Sequence, residues 1–229
     1  MTPALDVVIP TLNTGSALPG TLAALRVGQS RFSSTITVCD GGSGDDTVAL
    51  ATRDGAAIVT APPGRGGQLA TGAAVGSAPW LLFLHADTVL ADGWTEAVQH
   101  FVSAPASIAK AGYFRLRFAS TDPRARRVER QVAWRCRTFG LPYGDQGLLM
   151  ARSFYRHLGG FRPLPLMEDV DLVRRIGRDN LVPLAADAVT SPARYERDGW
   201  LARPTRNLLC LALYFAGVSP RHIARLYDR

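Results

Sequence analysis

The chain has 229 residues, of which 47% are hydrophobic and 20% charged. That length suits one well-cored domain, the apolar residues recur too evenly for a disordered chain, and no apolar run nears the roughly 20 residues that span a bilayer. The formal charge of +7 would suit phosphorylated small molecules, nucleic acid or anionic lipid, but of 26 basic residues only Lys110 is lysine, so a GC-rich coding sequence explains the excess as well.

From residue 5 onward, short apolar runs alternate with helical patterns. Strands are predicted at 5–9, 35–39, 56–60 and 80–84. Helices are predicted between them at 17–27, 45–53, 67–77 and 92–103, with Ser16 and Asp92 as caps. This order predicts an α/β fold, a doubly wound and mainly parallel sheet flanked by helices. The strand pattern begins at once, so no leader segment is expected ahead of it. The second half is less regular. A strand is predicted at 108–118, an arginine-rich helix at 123–139, a turn at 143–147 and a strand at 148–151. Helices follow from residue 153, at 168–177, at 203–216 and after Pro220. A single domain over 1–229 is expected, in two halves at 1–105 and 106–229, the second carrying the C-terminal helices. Cys39, Cys136 and Cys210 are odd in number and lack metal-ligand spacing, which predicts reduced, buried thiols of a cytoplasmic protein.

Polar motifs stand where each predicted strand ends, and open α/β sheets bind ligands beyond the carboxyl ends of their strands. Pro10-Thr11-Leu12-Asn13 follows the first strand. Asp40-Gly41-Gly42-Ser43-Gly44-Asp45-Asp46-Thr47 follows the second. Asp40 is placed to accept hydrogen bonds from a nucleobase or ribose, whereas Ser43, Asp45 and Thr47 read as a turn and helix cap. Pro62-Pro63-Gly64-Arg65-Gly66-Gly67-Gln68 reads as a plain loop or as a backbone that approaches a phosphate closely, with Arg65 to meet it. His85 and Asp87 end the fourth strand on one face. Asp87 suits Mg²⁺ or Mn²⁺, and His85 reads as a packed histidine or a ligand contact. Glu168 and Asp169 open a helix, where acids are favourable on dipole grounds and where one of them can serve as general base.

These motifs together resemble the family-2 glycosyltransferases, which have the GT-A fold, over residues 4 to 180. The resemblance implies an inverting transfer of a sugar from a nucleotide-diphosphate sugar to a hydroxyl acceptor, with 1–105 as the nucleotide-binding half and 106–229 as the acceptor-side half. It implies donor-nucleotide contacts from Pro10, Thr11, Asn13, Asp40, Arg65, Gln68, His85 and Ala86. His85-Ala86-Asp87 is similar to the family's Asp-x-Asp motif with His85 in the first place, which makes Asp87 the expected ligand of a divalent metal. Glu168-Asp169 resembles the acidic pair near the acceptor, with Asp169 as the base and Glu168 orienting. Leu82 to Thr88, Tyr143-Gly144-Asp145-Gln146-Gly147 and Gly217-Val218-Ser219-Pro220 resemble a compact bacterial subgroup associated with radical-SAM, selenium and arsenosugar gene neighbourhoods. Asp145 and Gln146 lie where the family binds donor sugar or acceptor, or form a plain turn.

Arg124, Arg126, Arg127, Arg130, Arg135 and Arg137 crowd one helix, as a solvated face or as a site for phosphate or an anionic membrane. The apolar stretch 208–218 is too short to span and reads as a packing helix, with a membrane edge or a homodimer as alternatives. Arg194, Tyr195 and Trp200 read as packing groups or as a cover over the acceptor. The expected location is the cytoplasm, with peripheral contact at the inner membrane face left open. Two other functions compete. A sugar-phosphate nucleotidyltransferase shares the topology but wants a catalytic lysine, and a non-catalytic basic binder of membrane or nucleic acid lacks a nucleic-acid fold motif.

Overall fold

The computed structural model describes residues 3–227. Its first half runs β1 (Ala4–Thr11), α1 (Leu18–Arg26), β2 (Ser33–Asp40), α2 (Thr47–Arg53), β3 (Ala57–Thr60), α3 (Arg65–Val75), β4 (Trp80–Phe83), β5 (Thr88–Leu90) and α4 (Trp94–Ser103). The second half runs β6 (Ala111–Phe118), α5 (Pro123–Phe139), β7 (Leu148–Ala151), α6 (Arg152–His157), α7 (Glu168–Ile176), β8 (Leu181–Thr190), α8 (Ala193–Asp198), α9 (Ala202–Phe215) and α10 (Pro220–Tyr227). The strands form one sheet in the order β3-β2-β1-β4-β7-β6-β8-β5. β7 runs antiparallel to β4 and β6, and β5 runs antiparallel to β8, while the other pairs are parallel.

Alternation along the strands builds the two sides of the core. Leu5, Val7 and Ile9 of β1 join Leu18, Leu22 and Leu25 of α1 and Trp94, Val98 and Phe101 of α4 on one face. Val8 points the other way, to Leu69 and Ala73 of α3 and Leu172 and Ile176 of α7. Gly72 makes that second layer fit, because a Cβ there would run into the Val8 side chain. α5 closes a third cluster over Tyr113, Leu116 and Phe118 of β6 through Val128, Val132 and Cys136. All three cysteines are buried and free.

Several boundaries differ from expectation. The strand predicted at 108–118 starts only at Ala111, because 105–109 form a 3-10 turn. Neither Ser16 nor Asp92 caps its helix. α1 is entered from Ala17 with a proline in its first turn, and α4 from Gly93 in the left-handed region, φ 84°. β5, β8 and α8 were not predicted. Lys110 precedes β6, at the sheet edge opposite the strands' carboxyl ends, so it cannot supply the lysine a nucleotidyltransferase needs there.

Candidate functional site

At the carboxyl ends of β1 and β2 two loops are stapled together. Asp40 is buried and accepts from Thr11 Oγ1 (2.9 Å), Gly42 N–H (2.9 Å), Ser43 N–H (2.8 Å) and Ser43 Oγ (2.5 Å). Burial works against its charge, but these donors outweigh it and hold the carboxyl below its ordinary value. Asn13 sits at φ 51°, accepts from Gly44 N–H (2.8 Å) and donates its own N–H to Ser43 Oγ (2.9 Å). Asp45 accepts the Thr47 N–H (3.1 Å) in the expected turn, while Asp46, at the cap position of α2, makes no side-chain capping bond. Gln68 is buried beneath both loops, donating to the carbonyls of Thr11 (2.7 Å) and Cys39 (2.8 Å). Pro10 and Ala86 are buried, and the Ala86 carbonyl accepts from Thr21 Oγ1 (2.8 Å).

Beside these loops opens a cleft of about 870 Å³ with the open space at its mouth included. Arg65, His85, Asp87, Asp145, Glu168 and Asp169 line it, brought from four separate stretches of the chain. Arg65 opens α3, and its Nε lies 3.3 Å from the Glu168 carboxylate. Gly66 keeps α3 close to the segment that leads into α7, since a Cβ would strike the Arg162 carbonyl. The glycine therefore serves packing within the protein. Met167 turns that segment through the left-handed region, φ 67°, an uncommon state for a non-glycine residue, and aims Glu168 and Asp169 into the cleft. Asp169 is fixed by the N–H groups of Gly144 (2.8 Å) and Val170 (2.7 Å). The His85 imidazole lies against Gly144, where any Cβ would collide with the ring.

The charges in the cleft perturb one another. Burial pushes the Glu168 carboxyl up to about 7 despite the Arg65 cation, with Asp169 adding to the rise. Burial and Arg65 drive His85 down to about 4, against the opposing pull of Asp87 and Asp169, so its imidazole is neutral at pH 7. Burial lifts Asp145 to about 6 in spite of Arg135. One Asp145 oxygen, Oδ1, is buried with no hydrogen-bond partner. Among the described residues no three His, Cys, Asp or Glu side chains lie close enough to enclose a metal by themselves. Mg²⁺ and Mn²⁺ need less, taking one or two protein carboxylates and the remaining oxygens from phosphates and water. Asp87 and the unsatisfied Asp145 fit that demand.

Not every expected residue reaches the cleft. Pro10, Thr11, Asn13 and Asp40 belong to the stapled loops beside it, and Gln68 and Ala86 are part of their support. Gln146 is turned inward, donating to the Phe114 carbonyl (3.0 Å) and accepting from Tyr143 N–H (3.3 Å). Trp200 is buried behind the wall, its ring 5.5 Å from Phe118 and 5.4 Å from Tyr195. Arg194 and Tyr195 do line the cleft. So does Tyr143, which opens the 143–147 motif, and so do Arg203, Asn207 and Tyr227, which the sequence did not mark as site residues. The last three arrive on helices folded back from the C-terminal third, and no local motif marks them.

Known proteins share this fold. The family model for glycosyl transferase family 2 matches residues 6–157. Uncharacterised glycosyltransferases of Mycobacterium tuberculosis and Mycobacterium bovis are 36% identical over 85 residues, a stretch that spans 37% of this chain and 37% of theirs. Glucosyl-3-phosphoglycerate synthase from Mycobacterium tuberculosis, solved with Mn²⁺ and UDP-glucose, superposes with a TM-score of 0.57 at 18% identity, over 82% of this chain and 70% of that one. A mannosyltransferase from Pyrobaculum calidifontis, solved with GDP-mannose and Mn²⁺, gives 0.61 at 18% identity, over 82% and 57%. The structural likenesses agree on the fold, the family match covers most of the chain including the strand-end motifs, and on that ground the chain belongs to glycosyl transferase family 2.

Proposed function

We propose that the protein is an inverting glycosyltransferase that moves a sugar from a nucleotide-diphosphate sugar to a hydroxyl acceptor. The observation that carries this reading is the convergence of Asp87, Glu168 and Asp169 with Arg65 and His85 in one cleft at the strand ends. Residues 1–105 act as the nucleotide half, with the nucleoside along Pro10–Asn13 and Asp40–Ser43 and the diphosphate near Arg65 and His85. Residues 106–229 supply the acceptor side, including Asp145 and the C-terminal helices. Asp87, with Asp145 beside it, would hold a divalent metal, which when bound offsets the charge growing on the departing diphosphate.

Asp169 takes the proton from the acceptor hydroxyl as that oxygen attacks the anomeric carbon and the nucleoside diphosphate leaves from the opposite face. The two backbone N–H groups fix its carboxylate for that transfer. Glu168, its carboxyl pushed up to about 7 by burial, orients the acceptor from its place beside Arg65. Neutral His85 offers a hydrogen bond without adding positive charge. Placement in the compact bacterial subgroup, from the 82–88, 143–147 and 217–220 motifs, is part of the same proposal.

The test is nucleotide release from UDP-, GDP- and dTDP-sugars with and without Mn²⁺. Turnover should require metal, and Asp169→Asn should lower it by about 10²-fold or more, the usual share of a general base. Asp87→Ala should raise the Mn²⁺ requirement or abolish turnover. Normal turnover in Asp169→Asn removes the base assignment. A product that keeps the donor's anomeric configuration by NMR removes inversion.

A further inference from the structure

A second feature lies on the outer side of the cleft's own wall. α9 turns Asn207 and Cys210 toward the cleft and Leu208, Leu211, Ala212 and Phe215 away from it. The outward residues form a groove with Phe139 at the end of α5, and Arg174 and Arg178 flank it. Trp134 extends the apolar surface, its ring 5.2 Å from Phe139. Large apolar side chains are exposed here to an unusual degree: Trp134 53%, Phe139 56%, Leu208 65% and Phe215 50%. A contiguous patch of this kind marks an interaction surface, whereas scattered apolar residues do not.

The rim states the partner's charge. Arg178 also borders an adjoining cleft with Arg130 and Arg137. Two of the three acids of that cleft are paired, Glu129 with Arg117 and Arg126 and Asp187 with Arg115 and Arg117, which leaves Asp179 as the one acid among these arginines. Among the described residues Arg130, Arg137, Arg174 and Arg178 have no carboxylate within ion-pair distance. Arg174 instead lies over the Phe215 ring at 4.8 Å. Tryptophan and phenylalanine beside free arginines suit a headgroup boundary, where rings enter the acyl edge and cations meet lipid phosphates. We infer that this face, the end of α5 with the outer side of α9, docks on an anionic phospholipid bilayer. No helix is long and apolar enough to cross one among the described residues, so the contact is peripheral. It sets the catalytic cleft one helix diameter, about 10 Å, from the lipid.

The four tryptophans give the test its readout. Trp80, Trp94 and Trp200 are buried, so a change of solvent at the surface is reported by Trp134. Phosphatidylcholine vesicles with added phosphatidylglycerol should sediment the full chain and shift its emission to the blue, and high salt should release it. Phosphatidylcholine alone should do neither. Trp134→Phe should lose the emission shift while still sedimenting. The charge-reversed pair Arg137→Glu with Arg178→Glu should weaken binding by about tenfold or more. Retained nucleotide-sugar binding shows that this variant is folded. No sedimentation with the anionic vesicles, or undiminished binding by the arginine variant, overturns the inference. So does a concentration-dependent dimer in analytical ultracentrifugation that buries Trp134 without lipid, which assigns the face to a second copy.

Discussion

Three titratable side chains in the cleft carry opposite pH signatures, and their sum is measurable. Glu168 rises from 4.5 to about 7 on folding and Asp145 from 3.8 to about 6, so between those values the native state holds protons that the unfolded chain has lost. Both therefore remove stability as pH rises. His85 falls from 6.5 to about 4, which adds stability over nearly the window in which Asp145 removes it. Glu168 is left uncompensated up to about pH 7, with a slope of at most about 1.4 kcal/mol per pH unit. We expect Glu168→Gln to gain stability relative to the wild type as pH rises from 5 to 7.5, measured by urea denaturation across that range. A constant difference between the two proteins would show that Glu168 is already ionised in the native state. Asp40 makes a different case, because its oxygens are occupied by donors of its own loops. Asp40→Ala should cost about 2–3 kcal/mol with no ligand present, since it leaves Thr11, Gly42 and Ser43 without their charged acceptor. A loss below about 0.5 kcal/mol would mean that the staple is weak and that Asp40 is free for the donor.

Between elements, one buried ion pair joins both halves of the chain. Arg152, entering α6, meets Asp6 of β1 at 2.5 Å and also donates to the carbonyls of Ala73 (2.5 Å) and Ala78 (2.7 Å), while Asp6 accepts the Ala78 N–H (2.9 Å). Asp6→Ala strands a buried guanidinium and should cost about 3–5 kcal/mol, whereas Asp6→Leu with Arg152→Met should recover most of that loss. If the double variant is no more stable than the single one, the backbone bonds of Arg152 matter more than the pair. No motif announced this link, and the same division runs through the rest of the fold. β1 to β4 were legible because each is a short apolar run closed by glycine, proline or polar residues. α5 was legible from end to end because Asp122 and Pro123 start it, the Asp122 side chain accepting the Arg124 N–H (2.8 Å), and Gly140 ends it in the left-handed region. β8 was not, because Pro183 and three alanines make a poor strand by propensity, and pairing with both β6 and β5 creates it. In the cleft, Arg65, His85, Asp87, Glu168 and Asp169 were legible from their positions at strand and helix ends, and Asp145 from the resemblance of its turn to the family's. Arg203, Asn207 and Tyr227 depend on tertiary docking, which sequence spacing does not encode.

Across the whole molecule the cleft has two walls of different character. One is the rigid rim of the sheet, and the other is the C-terminal helical layer. Within that layer Arg203 reaches Asp198 (2.6 Å) and the Tyr227 hydroxyl (2.8 Å), and it is joined to the rest of the fold by apolar packing, Trp200 on Phe118, Leu211 on Val170 and Val173, and Ile223 on Leu166. A ligand that bridges both walls stabilises the layer as well as the rim. At a hundredfold excess over Kd, a donor bound only to the native state adds about 2.7 kcal/mol. For a protein of this size that is a rise in Tm of about 5–10 °C. We expect nucleotide sugar with Mn²⁺ to slow amide exchange in Ala202–Phe215 and Pro220–Tyr227 as well as around Glu168 and Asp169. Tyr227→Phe removes the hydrogen bond to Arg203 and should leave Pro220–Tyr227 exchanging faster in the free protein, with the ligand restoring less of the protection. Protection confined to the loops after β1, β2 and β4 would mean that the donor is held by the sheet rim alone. In that case the residues on α9 and α10 would face the acceptor or solvent.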